Sequence, residues 1–315
     1  MINLSKNTVV GSSHGKLILV GEHSVVYGKP AIALPLPLVE VKASVQSVLN
    51  DTLIIDSMYY VGPLPDLPEK MHGIAACIKE TLKYLEKPAE GLIIKLESTI
   101  PLGRGLGSSA AVAIAVVRSL YAYYGRKLSK GELLELAHLA ETYAHGNPSG
   151  IDTAAASSDQ PIWFQKGHQI ESVQIGRPFY LVVADTGRVG DTHAAVASIK
   201  NKSTINPIDT QHSIDQLGEI SEQARVALAH GNVKLLGNLL NAAQDKLTTL
   251  GVSDQGLNQL VNVARDAGAI GAKLTGGGRG GCIVALAHNM NEAKSIAIAL
   301  EKANARKTWY FTLTE

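Results

Sequence analysis

Between residues 39 and 46, Val39, Val41, Ala43 and Val45 alternate with Glu40, Lys42, Ser44 and Gln46, the period of two expected of a strand with one buried face. Upstream, the short apolar run at 16–21 ends in glycine and predicts a buried strand followed by a turn. Residues 69–86 have helical composition, 91–97 predict another strand, and a glycine-rich loop at 103–107 leads into an Ala/Val-rich helix from Ser108. A further helix is predicted over 130–144, where Leu133, Leu136, Ala137 and Ala140 recur at helical spacing, stopping at a loop over 146–150. Near Pro178 the texture changes. One apolar strand at 180–184 precedes long helices over 212–230 and 232–250, with His230 and Gly231 as a stop and Asn232 as a cap. A helix over 254–267, a strand, a glycine-rich loop at 276–281, a strand ending near Leu286, a last helix and a strand at 308–313 complete the pattern.

A chain of 315 residues with 45% hydrophobic content can fill two cores, since single cores stop growing at about 250 residues. Domains over 1–177 and 178–315 follow from the change of texture. The net charge of +1 provides no broad field for nucleic acid or an anionic membrane, so any anion must be held by a local site. Cys77 and Cys282 are too few and too far apart for a staple or a metal site, which fits a reducing cytoplasm. Lys6, His14 and Lys16 interrupt any apolar leader, and Pro35 and Pro37 interrupt the apolar stretch at 31–39, so no membrane span is expected.

Three loops carry candidate chemistry. In PLGRGLGSSAA, residues 101–111, glycines allow positive φ and close backbone approach, and the free N–H groups of the following helix start form a cradle for phosphate. A Walker A loop is excluded because Ser108 and Ser109, not lysine, follow Gly107. A dinucleotide fingerprint is disfavoured because no strand ends in an acidic residue about 20 residues on. In HGNPSGID, residues 145–152, a tight turn can aim Asp152 inward while Glu141 projects from the preceding helix. One carboxylate suits a magnesium ion shared with ATP phosphates, the other a proton on an alcohol. KLTGGGRGGC, residues 273–282, has five glycines in the six positions 276–281 and requires a backbone very close to something. Each feature also has a plain structural reading: a glycine-rich turn, a solvated helix-face Glu141, a turn-capping Asp152, a tight hairpin. In GKLILVGEHSVVYG, residues 15–28, Lys16 alone reads as a snorkelling strand-edge lysine and His23 as a satisfied polar group.

Taken together and in this order, the blocks resemble the GHMP kinase superfamily over nearly the whole chain. GEHSVVYG and HGNPSGID are similar to its mevalonate kinase branch, of the short bacterial or archaeal type. The resemblance implies an α+β, two-domain GHMP kinase fold with a ribosomal protein S5 domain 2-like N-terminal domain and a ferredoxin-like C-terminal domain. It implies ATP and Mg2+ as cofactor and metal, and mevalonate as substrate, with a homodimer left open. By matched positions it implies catalytic Asp152 and Lys16, and ATP-binding Pro101, Gly103, Arg104, Gly105, Leu106, Gly107, Ser108 and Ser109. It further implies metal ligands Ser109 and Glu141, and Glu22, His23, Thr186 and Gly277 beside the acceptor together with Lys16 and Asp152. Arg279 departs from the family pattern and has no implied role. The alternatives are another GHMP kinase, acting on phosphomevalonate or homoserine, and a non-catalytic sensor. The first would need more basic residues near His23 than Lys29, and the second would predict loss of Lys16, Glu141 or Asp152. The kinase reading requires the glycine stretch around residue 105, Glu141 and Asp152 to meet, with Lys16 beside them.

Overall fold

A computed structural model describes residues 8–49, 51–145 and 148–314; Lys6, Gly146 and Asn147 lie outside the described residues. The chain forms two compact units, each assembled from separate stretches: Met1–Lys16, Pro35–Pro101 and Gly107–Asp159 in the first, Leu17–Leu34, Leu102–Leu106 and Gln160–Glu315 in the second.

Two strands pass from one unit into the other. β1 (Val9–Val20) crosses after Lys16, and β2 (Ala31–Ser47), which pairs with it, crosses after Leu34. The first unit adds β3 (Ile54–Ser57), β4 (Tyr60–Pro63), α1 (His72–Tyr84), β5 (Leu92–Ser98), α2 (Ser108–Tyr123), α3 (Lys130–His145) and α4 (Ile151–Ala156). Its strands run in the order β4-β3-β5-β2. β5 is antiparallel to β2, from Val41 opposite Ser98 to Ser47 opposite Leu92, and parallel to β3. The alternation at 39–46 behaves as expected: Val39, Val41, Ala43 and Val45 are buried while Lys42 is exposed. Pro35 and Pro37 lie in β2 before Val41, where its pairing with β5 begins, so their missing N–H groups break no rung of that ladder. α2 is buried on nearly every side because alanine dominates it, and α1, α2 and α3 pack on one another.

The second unit continues with β6 (Ile162–Phe164), β7 (Glu171–Ser172), β8 (Phe179–Asp185), α5 (Thr192–Ile205), α6 (Pro207–Ala229), α7 (Val233–Thr249), α8 (Gln255–Asp266), β9 (Gly271–Thr275), β10 (Cys282–Ala287), α9 (Met290–Lys302) and β11 (Lys307–Leu313). β6 pairs with the first residues of β2, Ala31–Ala33, and with β7. The remaining strands make an antiparallel sheet in the order β11-β8-β10-β9, the ferredoxin-like arrangement with additional helices between its first two strands. Asn232 caps α7 as expected, accepting from the Leu235 N–H at 3.0 Å. α5 and the early start of α6 go beyond the sequence pattern. Asp191 caps α5 through the Ala194 N–H, and Pro207 opens α6 at a position that tolerates its missing donor.

α7 lies directly against β9 because glycine meets glycine. A Cβ on Gly271 would stand 2.2 Å from the Gly237 carbonyl oxygen, closer than any side chain tolerates. Gly271→Ala should therefore destabilise the protein by about 1–3 kcal/mol in urea unfolding, as overpacking against backbone does. Gly131→Ala, in an α3 position with nothing within 4 Å of its Cβ, should cost nothing.

Candidate active site

In the first unit the two turns of α4 decide the geometry. Gly150 takes φ 89° just before the helix, and the chain then presents Asp152 and Thr153 in the first turn. Thr153 Oγ1 donates to Glu141 Oε2 at 2.8 Å, tying α4 to α3. Lys16, in β1, is only 1% exposed, and its Nζ sits 2.7 Å from Asp152 Oδ1. A snorkelling surface lysine is therefore ruled out: the ammonium is buried and held by one carboxylate. The lysine stem passes under the end of the glycine-rich loop, where a Cβ on Gly107 would stand 2.7 Å from Lys16 Cγ. Gly107 also takes φ 74°, so glycine is needed there for both space and conformation.

Gly107 is the residue before α2, and no side chain caps that helix. Its first N–H groups have no intrahelical acceptor and carry the positive end of the helix dipole. Ser108 Oγ is buried without a hydrogen-bond partner, and Ser109 is half-buried in the same turn. Lys16, Asp152, Glu141 and the Gly107 end of the loop thus form one cluster of two carboxylates, one lysine and a helix N-terminus. Glu141 is only 3% exposed, and its carboxyl is pushed up to about 8, first by burial and then by the neighbouring Asp152 charge; Thr153 and Lys16 oppose the shift. A second positive charge at this spot would favour its ionised form.

In the second unit, the residues before Gly107 are fastened differently. Arg104 Nε lies 3.0 Å from Asp185 Oδ1, and Nη2 donates to the Gly187 carbonyl at 2.8 Å. The Arg104 side chain is thereby committed to the end of β8, and Asp185, absent from the sequence-based candidates, becomes the loop's anchor. Gly190 N–H donates to the Gly103 carbonyl at 2.7 Å, and Leu106 is buried. A Cβ on Gly276 would stand 2.8 Å from Gly105 Cα: the two glycine-rich loops lie backbone on backbone. Thr186 Oγ1 donates to the Gly281 carbonyl at 2.7 Å, binding the third loop to the turn after β8. Arg279, at φ 52°, donates from Nε to the Gly251 carbonyl at 3.1 Å and so has a structural partner. Pro101 is half-buried at the last position of its stretch of the first unit.

The same unit brings Glu22, His23 and Gly277 together. Glu22 is fully buried in an ion pair with Lys273 of β9. His23 donates from Nε2 to the Gly277 carbonyl at 3.1 Å, and burial drops its pKa to about 4, the Gly277 hydrogen bond opposing. Lys273 and Thr153 escaped the sequence-based selection. A lysine in a five-residue strand looks like a solvent-facing one unless every neighbour is known to be buried, as all of β9 is.

The Glu141 carboxyl makes stability depend on pH. The folded protein keeps its proton up to about pH 8 whereas the unfolded chain releases it near the ordinary 4.5, so the stability contributed by the neutral acid declines as pH rises through that window. Glu141→Gln removes the titration. In metal-free buffer its Tm relative to wild type should climb by a few degrees (~3 °C) from about pH 5 to about pH 8. A difference that stays flat across this range would place the Glu141 ionisation below it.

A family model described as GHMP kinases N terminal domain matches residues 73–160, and one described as GHMP kinases C terminal matches 224–306. The mevalonate kinase of Thermococcus sibiricus is 34% identical over 312 residues, spanning 93% of each chain. That of Pyrococcus horikoshii is 33% identical over 318 residues, spanning 93% of this chain and 92% of its own. The crystal structure of L. major mevalonate kinase in complex with R-mevalonate aligns with a TM-score of 0.83 at 28% identity, covering 99% of this chain and 97% of that one. Mevalonate kinase from methicillin-resistant Staphylococcus aureus gives 0.73 at 32% identity, covering 98% and 100%. Streptococcus pneumoniae phosphomevalonate kinase shares the fold, at 0.82 with 20% identity. With both halves matched by the family's own models and relatives of a third identity running almost its full length, the chain belongs to the GHMP kinases, and its fold is their two-domain α+β fold.

Proposed function

We propose that this chain is a mevalonate kinase, transferring the γ-phosphoryl group of ATP to the primary hydroxyl of (R)-mevalonate. The observation that carries the chemistry is the buried Lys16–Asp152 pair directly beneath Gly107 at the start of α2. The substrate rests on the near-full-length similarity to relatives of that name, including the L. major enzyme solved with R-mevalonate.

Phosphoryl transfer passes through a loose transition state with charge on the three equatorial oxygens, so the protein has mainly to position and neutralise. The loop from Pro101 through Gly103, Arg104, Gly105, Leu106 and Gly107 to Ser108 and Ser109 receives the nucleotide phosphates on main-chain N–H groups. Arg104 serves there through its backbone, since its guanidinium is held by Asp185. Asp152 accepts the proton of the attacking hydroxyl, and Lys16, 2.7 Å away, orients that carboxylate and stabilises negative charge developing on the oxygen. By their matched family positions, Glu22, His23, Thr186 and Gly277 are assigned to the acceptor.

The residues present fit a magnesium ion. Mg2+ takes one or two carboxylates and keeps waters and phosphate oxygens for the rest of its shell, and Glu141 is a buried carboxylate whose ionised form a cation would favour. Glu141 and Ser109 would hold it, and it would supply positive charge against that of the nucleotide phosphates. The two family domains are proposed to meet at 177/178, which falls between the two family-model matches, and a cytoplasmic setting is consistent with two free cysteines.

Release of ADP against a panel of mevalonate, phosphomevalonate, homoserine and galactose tests the reading: mevalonate should be turned over best, and activity confined to another alcohol would overturn the substrate while leaving the kinase. Asp152→Asn should bind ATP yet lose kcat by about 10²-fold or more. Near-normal turnover would remove Asp152 from the base role. Ser109→Ala should shift the magnesium titration to higher concentration, and an unchanged titration would strike Ser109 from the ligands.

A further inference from the structure

Strand β9 lies at one edge of its sheet, and its side chains do the work that a further strand's backbone would otherwise do. Thr275 Oγ1 accepts from the Ile18 N–H at 3.0 Å and donates to the Ile18 carbonyl at 2.8 Å. Lys273 pairs with Glu22 and also donates to the Leu274 carbonyl at 2.6 Å. Just past the strand, the Gly277 carbonyl receives His23 Nε2–H. The last residues of β1 and the turn after them are thus held at three points by one strand and its loop.

The middle point is chemically unlike the others. An ion pair fully removed from water gains little or nothing in stability over apolar side chains of the same volume. What it does supply is a fixed geometry, because a buried charge tolerates no position away from its partner. That geometry is needed next door. His23 has φ 61°, the left-handed region that a residue with a Cβ occupies only when its surroundings leave no alternative. Gly277 is itself pinned, since a Cβ there would fall 2.0 Å from Thr192 Oγ1.

We propose that Lys273 is a positioning residue for the acceptor site: through Glu22 it fixes the left-handed turn that aims His23 at the Gly277 carbonyl. This rests on reading Glu22, His23 and Gly277 as acceptor-side residues of a kinase. A carbonyl only accepts, so His23 Nε2 carries the hydrogen and Nδ1 is left as the acceptor nitrogen, suited to an alcohol O–H. The positive charge of Lys273 also works against protonation of the ring. Lys273 touches no reacting atom in this scheme; it acts through Glu22.

Lys273→Met keeps the unbranched stem and deletes the ammonium. It should raise KM for mevalonate by about tenfold or more while leaving KM for ATP within about twofold, as misplacement of one substrate's contacts does. Thr275→Val removes a different β9 tie without touching the Lys273 pair, and should lower Tm without separating the two KM values. Equal shifts of both KM values in Lys273→Met, no shift in either, or the same separation in Thr275→Val would each overturn the proposal. The wild-type protein provides an arm that needs neither variant nor substrate: the ring ¹⁵N shifts of His23, assigned by loss of the signal in His23→Asn, should show a neutral Nε2–H tautomer at about pH 6. A protonated ring or an Nδ1–H tautomer there would overturn it even if Lys273→Met does not fold. Failure of the wild type to phosphorylate mevalonate would instead sink the substrate reading, and the KM comparison would move to whichever alcohol is turned over.

Discussion

A lysine ammonium in the interior must have a counter-charge within hydrogen-bond distance, and that requirement organises the candidate site in the first unit. Lys16 meets it with Asp152 alone among the described carboxylates within salt-bridge distance. The consequence runs outward: Asp152 must be in the first turn of α4, the turn before it must bend through Gly150, and Thr153, next in the chain, then falls where it can hold Glu141. On the other side the lysine stem leaves no room for a side chain at Gly107, so the glycine-rich loop can end only on glycine at that point. The proposed base, the lysine proposed to orient it, a candidate cation ligand and a helix start share one cluster because one buried charge had to be satisfied.

The second unit is governed by two more ion pairs with low exposure. Arg104–Asp185 ties the front of the glycine-rich loop at 103–107 to the end of β8, and Lys273–Glu22 ties the His23 turn to β9. Among them lie stretches where backbone rests on backbone, as at Gly105 and Gly276. Rigid main chain held by buried charge suits chemistry that depends on placement more than on reactive side chains.

Much of this was legible from residues alone. The period of two in β2, the Asn232 cap and the glycine-then-serine start of α2 are local signals, and local signals survive without a structure. Asp152 and Glu141 were recognisable as a pair only through the family resemblance that matches both positions, since either alone is an ordinary surface acid. β3, β4, β6 and β7 are two to four residues long, too short for a period to appear. α5 was illegible because few of its residues, Ala195 and Ile199 among them, are buried, so no apolar stripe marks it. The partners of the buried charges are the least legible of all. Glu22 and Lys273 are joined across most of the sequence, and no spacing rule connects them. The glycines of the third loop did announce close approaches, but only the structure names the other parties, Gly105 against Gly276 and Thr192 against Gly277 among them.

The interleaving of the two units constrains how such a protein can be divided or inherited. A fragment starting at residue 178 would keep β9 and β8 yet lose Glu22, Ile18 and Arg104, the partners of Lys273, Thr275 and Asp185. It would carry a bare ammonium and a bare carboxylate in what should be its interior. Recombination between homologues at that point would exchange half of each buried pair, so crossovers there would survive only where both parents already agree on these partners.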